Sequence, residues 1–106
     1  MLTKEALIKV DTYFDNKKKW CKTSMWRDKD NKPLLISEEN KSKVEKCCLI
    51  GAITLITNDA NVRMKCETKL RENLDGRFNQ SLMFFNDLTT FEEVKALIKR
   101  TIEACP

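Results

Sequence analysis

Any nucleophile, general base or metal site in this chain has to be built without histidine, because its 106 residues contain none. That removes Ser-His-Asp and Cys-His machinery, histidine bases and histidine metal ligands together. The residues left with chemical potential are five cysteines (Cys21, Cys47, Cys48, Cys66 and Cys105) and three pairs: Trp20-Cys21, Arg27-Asp28 and Asn86-Asp87. No C-x-x-C spacing occurs, so a zinc site would have to gather scattered thiols, and no metal is expected. Gly51 and Gly76, the two glycines, cannot form a glycine-rich phosphate loop. Enzyme activity is disfavoured, with carboxylate- or lysine-based chemistry left open, and no cofactor is expected.

Each pair has a plain alternative. Trp20 and Cys21 could wall a ligand pocket floored by Gly51, but cysteine is among the most buried residue types, which favours core. Adjacent cysteines rarely bridge, because the ring they would close is strained, so Cys47-Cys48 reads as packing. Asn86 and Asp87 could satisfy loop or helix N-terminal amides, or could line a polar pocket with Arg27 or Asp28. Trp20, Cys21, Cys48, Gly51 and Ala52 are therefore assigned to structure.

The basic residues are less evenly spread. KKKWCKTSMWRDKDNK, residues 17–32, holds seven basic residues against two acidic ones, a net +5, while the rest of the chain carries −1. The whole net charge of +4 is therefore local to one stretch, which also holds both tryptophans. Such a patch attracts an acidic protein surface or phosphate, and exposed aromatics would add stacking. Fifteen of the twenty basic residues are lysine, and no helix-turn-helix or arginine cluster accompanies them, which ranks nucleic acid behind other partners. The candidate docking residues are Lys18, Lys22, Trp26, Arg27 and Lys29, with Asn86 and Asp87.

These residues need elements to position them. At 42% hydrophobic and 34% charged, the composition is that of one globular domain spanning residues 1–106. The longest run without a charge or Asn, Cys47 to Thr57, is shorter than the ~20 residues of a membrane span. Lys4, Glu5 and Lys9 interrupt any signal peptide, and with unpaired cysteines this points to the cytoplasm. The periodicity predicts helix 1 over Lys4–Lys18 with Thr3 as cap, and a β-hairpin over about 20–36 turning at DKDNKP. Helix 2 is predicted from Ser37 to Thr57, with something approaching Gly51 closely, a hairpin tryptophan being the natural candidate. Helix 3 should run from Ala60 to Leu74 and close at Asp75-Gly76 through a left-handed glycine. A short helix over Phe78–Phe85 follows, then helix 4 from a Thr90 capping box with Glu93. The expected fold is mainly helical α+β: four to five helices packed with one β-hairpin.

Trp20-Cys21, Arg27-Asp28, C-L-x-G-A at Cys48–Ala52, and N-D followed by T-x-x-E-V at Asn86–Val94 stand in the order of a known pattern. The chain resembles a family of short bacterial and phage proteins classed as a domain of unknown function, over roughly residues 7–103. Family members usually carry Trp at Cys47 and at Phe85. The resemblance implies a compact helical fold and a bacterial or phage origin, and supplies no activity. The expectation is a small non-enzymatic binding or regulatory protein in the bacterial cytoplasm, with a phage-encoded modulator of a host defence system as the sharpest form. Its partner would be a protein or an anionic metabolite. The alternatives are a nucleotide or small-molecule pocket using Trp20, Cys21, Arg27 and Asp87, and a nucleic-acid module using the basic hairpin.

Overall fold

The computed structural model describes residues 1–74, 76–78 and 80–106. Helix α1 (Thr3–Tyr13) lies at the centre and packs against α2 (Leu49–Ile56), α3 (Ala60–Glu72) and α5 (Phe91–Ala104). Its inner face, Ala6, Leu7 and Val10, continues into Phe14, and all four are fully buried. The facing residues are Leu49, Ala52 and Ile53 of α2, Cys66 and Leu70 of α3, and Val94, Leu97 and Ile98 of α5. Full burial of each large aliphatic side chain contributes about 1.5–3 kcal/mol, so this cluster dominates the fold. Lys95 locks α5 to α1: its ammonium donates to the Asp11 carbonyl at 2.7 Å and lies 2.7 Å from Asp11 Oδ1.

Among the described residues three short strands form an antiparallel sheet: β1 (Trp26–Arg27), β2 (Pro33–Leu34) and β3 (Lys46–Cys47), in the order β2-β1-β3. Trp26 pairs with Leu34 on one side and Cys47 on the other; Arg27 pairs with Pro33 and Lys46. With α4 (Leu82–Leu88), the architecture is mainly helical α+β. No helix among the described residues is long and apolar enough to cross a membrane.

Several boundaries differ from the sequence reading, each for a local reason. Leu2, not Thr3, is the N-cap residue of α1, without a side-chain cap, and Thr3 is already helical. The helix stops at Tyr13 because Asn16 accepts the Lys18 amide and starts a separate 3-10 turn over Lys17–Lys19. No helix starts at Ser37. Its hydroxyl accepts the Asn40 amide in a turn, a 3-10 turn follows at Lys41–Lys43, and Lys46–Cys47 is drawn into the sheet. Helix α2 begins only at Leu49, after Cys48, whose sulfur accepts the Gly51 amide at 3.3 Å.

Gly51 is approached as its place in a helix suggested. The Met25 carbonyl sits where a Cβ would stand, Trp26 Cδ1 would be 3.1 Å from it, and the Trp26 indole donates to Gly51 O at 2.9 Å. Gly76 does not make a left-handed stop, since no described glycine has positive φ. Helix α3 ends at Glu72, where the Asn73 side chain donates back to Lys69 O, and Gly76 opens a 3-10 turn to Phe78. Asp75, the other half of that expected stop, lies outside the described residues. The Asp59 cap of α3 and the Thr90 cap of α5 are both formed.

Candidate functional site

Asn86 sits on the buried side of α4, 1% exposed, and all its hydrogen-bonding capacity is used. Its Oδ1 accepts the Trp20 indole N–H at 2.7 Å and the Leu49 amide at 3.0 Å. Its Nδ2 donates to Cys21 O at 3.1 Å and to Asp87 Oδ1 at 3.0 Å. One amide thus joins the 20–23 loop, the N-terminus of α2 and α4. Asp87 extends the junction by accepting the Thr23 amide at 3.0 Å. A buried polar group is tolerated only when its partners are supplied, and here they are. Asn86, expected as a docking residue, is therefore internal framework, and so is Trp26, which is fully buried beneath the sheet.

Thr23 has φ 67°, a left-handed conformation that a β-branched residue rarely adopts. It is held there by Asp87 on its amide and by Arg27 Nη2, which donates to Thr23 Oγ1 at 3.1 Å. Arg27 also donates to Asn31 O at 2.7 Å. Its guanidinium braces the hairpin at the surface, where Arg27 stays partly exposed. The depression beside Thr23, Cys48, Asn86 and Asp87 holds about 50 Å³. Ligand pockets run to about 300–1,000 Å³, so this depression is smaller than a usual ligand site, and of Trp20, Cys21, Arg27 and Asp87 only Asp87 lines it.

The cysteines are buried and unbridged. Burial pushes the Cys21 thiol up to about 11 and Cys66 to about 11. Cys47 rises to about 12 for the same reason, despite the Tyr13 hydroxyl 3.4 Å from its sulfur. Burial also raises Cys48 and the Tyr13 phenol. The Cys21, Cys47, Cys48 and Cys66 thiols are protonated at neutral pH and behave as core atoms. Among the described residues no group of three or more Cys, Asp or Glu side chains could hold a metal ion.

The outward face of the sheet is different. Arg27 and Lys46 stand directly opposite each other across β1 and β3, a like-charge pair that costs stability. Lys46 lines an open cleft of about 390 Å³ together with Lys18, Lys19 and Lys29. Two acids share it, Glu45 and Asp28, and the Asp28 carboxylate is occupied by the Lys32 and Asp30 amides, which hold it below its ordinary range. Lys19 is paired with Asp15 at 3.2 Å. Lys18, Lys29 and Lys46 have no carboxylate within ion-pair distance among the described residues. Lys22 stands apart over the Trp20 ring, its ammonium 5.5 Å from the ring centre.

The fold therefore gathers Lys18 and Lys29 of the predicted residues into one cleft, buries Trp26 and Asn86, and leaves Arg27 partly exposed beside the cleft lining, bonded to the hairpin. Lys19 and Lys46 are added. Lys19 lay within the basic run, while only the register of β3 against β1 could have found Lys46.

No curated protein and no solved structure matches the chain. A protein-family model matches residues 2–104, and the chain belongs to that family, a family of unknown function (DUF6197).

Proposed function

We propose that this chain is a small non-enzymatic binding protein that docks an acidic protein surface in its basic cleft. The observation that carries the reading is the gathering of Lys18, Lys19, Lys29 and Lys46 around one cleft, with no carboxylate within ion-pair distance of Lys18, Lys29 or Lys46 among the described residues. Like charges brought together at a cost to stability are accounted for when an anionic partner neutralises them. Three separate chain segments supply the cations, so the arrangement comes from the fold and not only from a lysine-rich run. Protonated thiols and the absence of histidine favour binding over catalysis. The bacterial and phage resemblance adds a setting: a phage-encoded modulator of a host defence system, acting in the bacterial cytoplasm.

Affinity capture from bacterial lysate tests this. The wild-type chain should retain a protein that survives nuclease treatment and is lost when Lys18, Lys29 and Lys46 are changed to Glu. Retention of nucleic acid alone would favour a phosphate-backbone binder instead, with affinity falling steeply in salt.

A further inference from the structure

We propose that Glu45 sets the specificity of the basic cleft: it admits an acidic protein segment that carries one lysine or arginine among its acids, and it turns away uniform polyanions. The inference rests on the basic-cleft reading above and narrows its partner. Six of the seven residues lining the cleft are charged, so its wall is a pattern of charges. Two of the six are already engaged. Lys19 lies 3.2 Å from Asp15, and Asp28 Oδ1 accepts the Asp30 and Lys32 amides at 2.9 and 3.0 Å. The charges left are Lys18, Lys29 and Lys46, with a single carboxylate, Glu45. Glu45 shares the cleft with these ammonium groups, yet no cation stands within ion-pair distance of it among the described residues. Its side chain is exposed, and its backbone is fixed: the Glu45 amide donates to Arg27 O at 2.9 Å, and Lys46 beside it pairs with Arg27 in the sheet.

A free carboxylate among free cations works against the attraction of the cleft for anions, and its effect depends on what enters. A phosphate backbone presents charges of one sign at close, regular spacing, so a strand that reaches the three lysines also brings phosphate towards Glu45. That juxtaposition of like charges is the repulsive element that specificity needs. An anionic lipid surface meets the same obstacle. A protein segment can change sign from residue to residue. Acids opposite Lys18, Lys29 and Lys46, with one base opposite Glu45, leave all four charges paired in the complex. The sheet does not need the carboxylate, because the bond to Arg27 is made by the Glu45 backbone. Glutamine at this position therefore removes the charge and keeps the fold.

The test compares the full chain with its Glu45→Gln variant by fluorescence anisotropy at low salt. The probes are labelled octa-glutamate, the same peptide with a single lysine placed at each position in turn, and a single-stranded oligothymidylate; phosphatidylglycerol vesicles are added as a competitor. At least one lysine-containing peptide should bind wild type about threefold or more tightly than octa-glutamate, and bind Glu45→Gln more weakly than octa-glutamate does. The variant should keep its melting temperature and bind the oligonucleotide about threefold to tenfold more tightly than wild type, with a steeper dependence on salt. Lysine placements that weaken binding to both proteins alike overturn the inference and leave the basic-cleft reading standing, with Glu45 a solvated acid. Oligonucleotide affinity that Glu45→Gln leaves unchanged also overturns it, as do vesicles that displace the peptides equally well from both proteins. If octa-glutamate fails to bind wild type, and reversal of Lys18, Lys29 and Lys46 to glutamate changes the affinity of no probe, the basic-cleft reading falls and this inference with it.

Discussion

The Trp20 indole N–H donates to Asn86 Oδ1 at 2.7 Å across 66 positions of sequence, and the same oxygen accepts the Leu49 amide. Removing this amide strands several buried groups at once. Asn86→Leu should destabilise the chain by about 2–4 kcal/mol, because each orphaned buried donor or acceptor costs about 1–3 kcal/mol. Urea unfolding with an unchanged midpoint would show that the junction is not a stabilising one.

Gly51→Ala should be among the most damaging single-methyl additions in the chain. The added carbon meets the Met25 carbonyl, which belongs to backbone anchored by the Cys48 amide at 3.0 Å and cannot swing aside like a side chain. A loss of about 1–3 kcal/mol is expected, as for overpacking elsewhere. Calorimetry checks it, and a raised melting temperature would refute the close approach.

Thr23→Gly should go the other way. A residue held in a sparsely populated backbone region costs on the order of 1–3 kcal/mol, and glycine removes that strain while keeping the amide that Asp87 accepts. After the entropy cost of glycine in the unfolded chain, a gain of about 1 kcal/mol is expected. A clear loss would mean that the bond from Arg27 to the threonine hydroxyl outweighs the strain.

The residues that hold the fold were unequally visible in the sequence. Gly51 announced itself as a glycine inside an apolar helical stripe, and Thr90 as the cap of the helix it starts. Cys47 did not, because Val44 to Thr57 has the same apolar spacing whether or not its first residues are extended. Pairing of Lys46–Cys47 with Trp26–Arg27 decides the matter, and that partner is some twenty residues away. Asn86 was legible as an amide-satisfying residue, but its partners lie 37, 65 and 66 positions off, where no local pattern reaches. The basic run was plain in the sequence; that Lys46 joins it, and that Trp26 leaves it for the core, depends on register.

The thiols fix the alkaline limit. Folding holds Cys21, Cys47 and Cys66 protonated by raising them from about 9 to about 11, 12 and 11. The unfolded chain therefore releases protons first as pH rises, and stability is fully present below about pH 9 and lost as pH climbs through 11 to 12. Melting temperatures should be flat from neutrality to about pH 9 and fall beyond it. Cys47→Val should soften that fall. Thiol titration without reductant should count five free thiols after denaturation and fewer fast ones before it. A stability that rises above pH 9 would contradict the burial of these groups.

Lys46→Glu separates stability from function at one position. It replaces a like-charge pair with an opposite-charge pair across from Arg27, so the melting temperature should hold or rise, by an increment worth about 0.2–1 kcal/mol. A marked fall would mean that the Lys46 ammonium stabilises the sheet.

The basic cleft itself is tested most directly by the association rate of the captured partner, followed from low to physiological ionic strength. Wild type is compared with the Lys18→Glu, Lys29→Glu, Lys46→Glu variant. Steering by unpaired cations predicts a wild-type rate that falls about tenfold or more as salt rises, and a variant that associates slowly at every salt concentration with its melting temperature intact. Equal rates and equal salt slopes for the two proteins would contradict the account and leave these lysines as a solvated face.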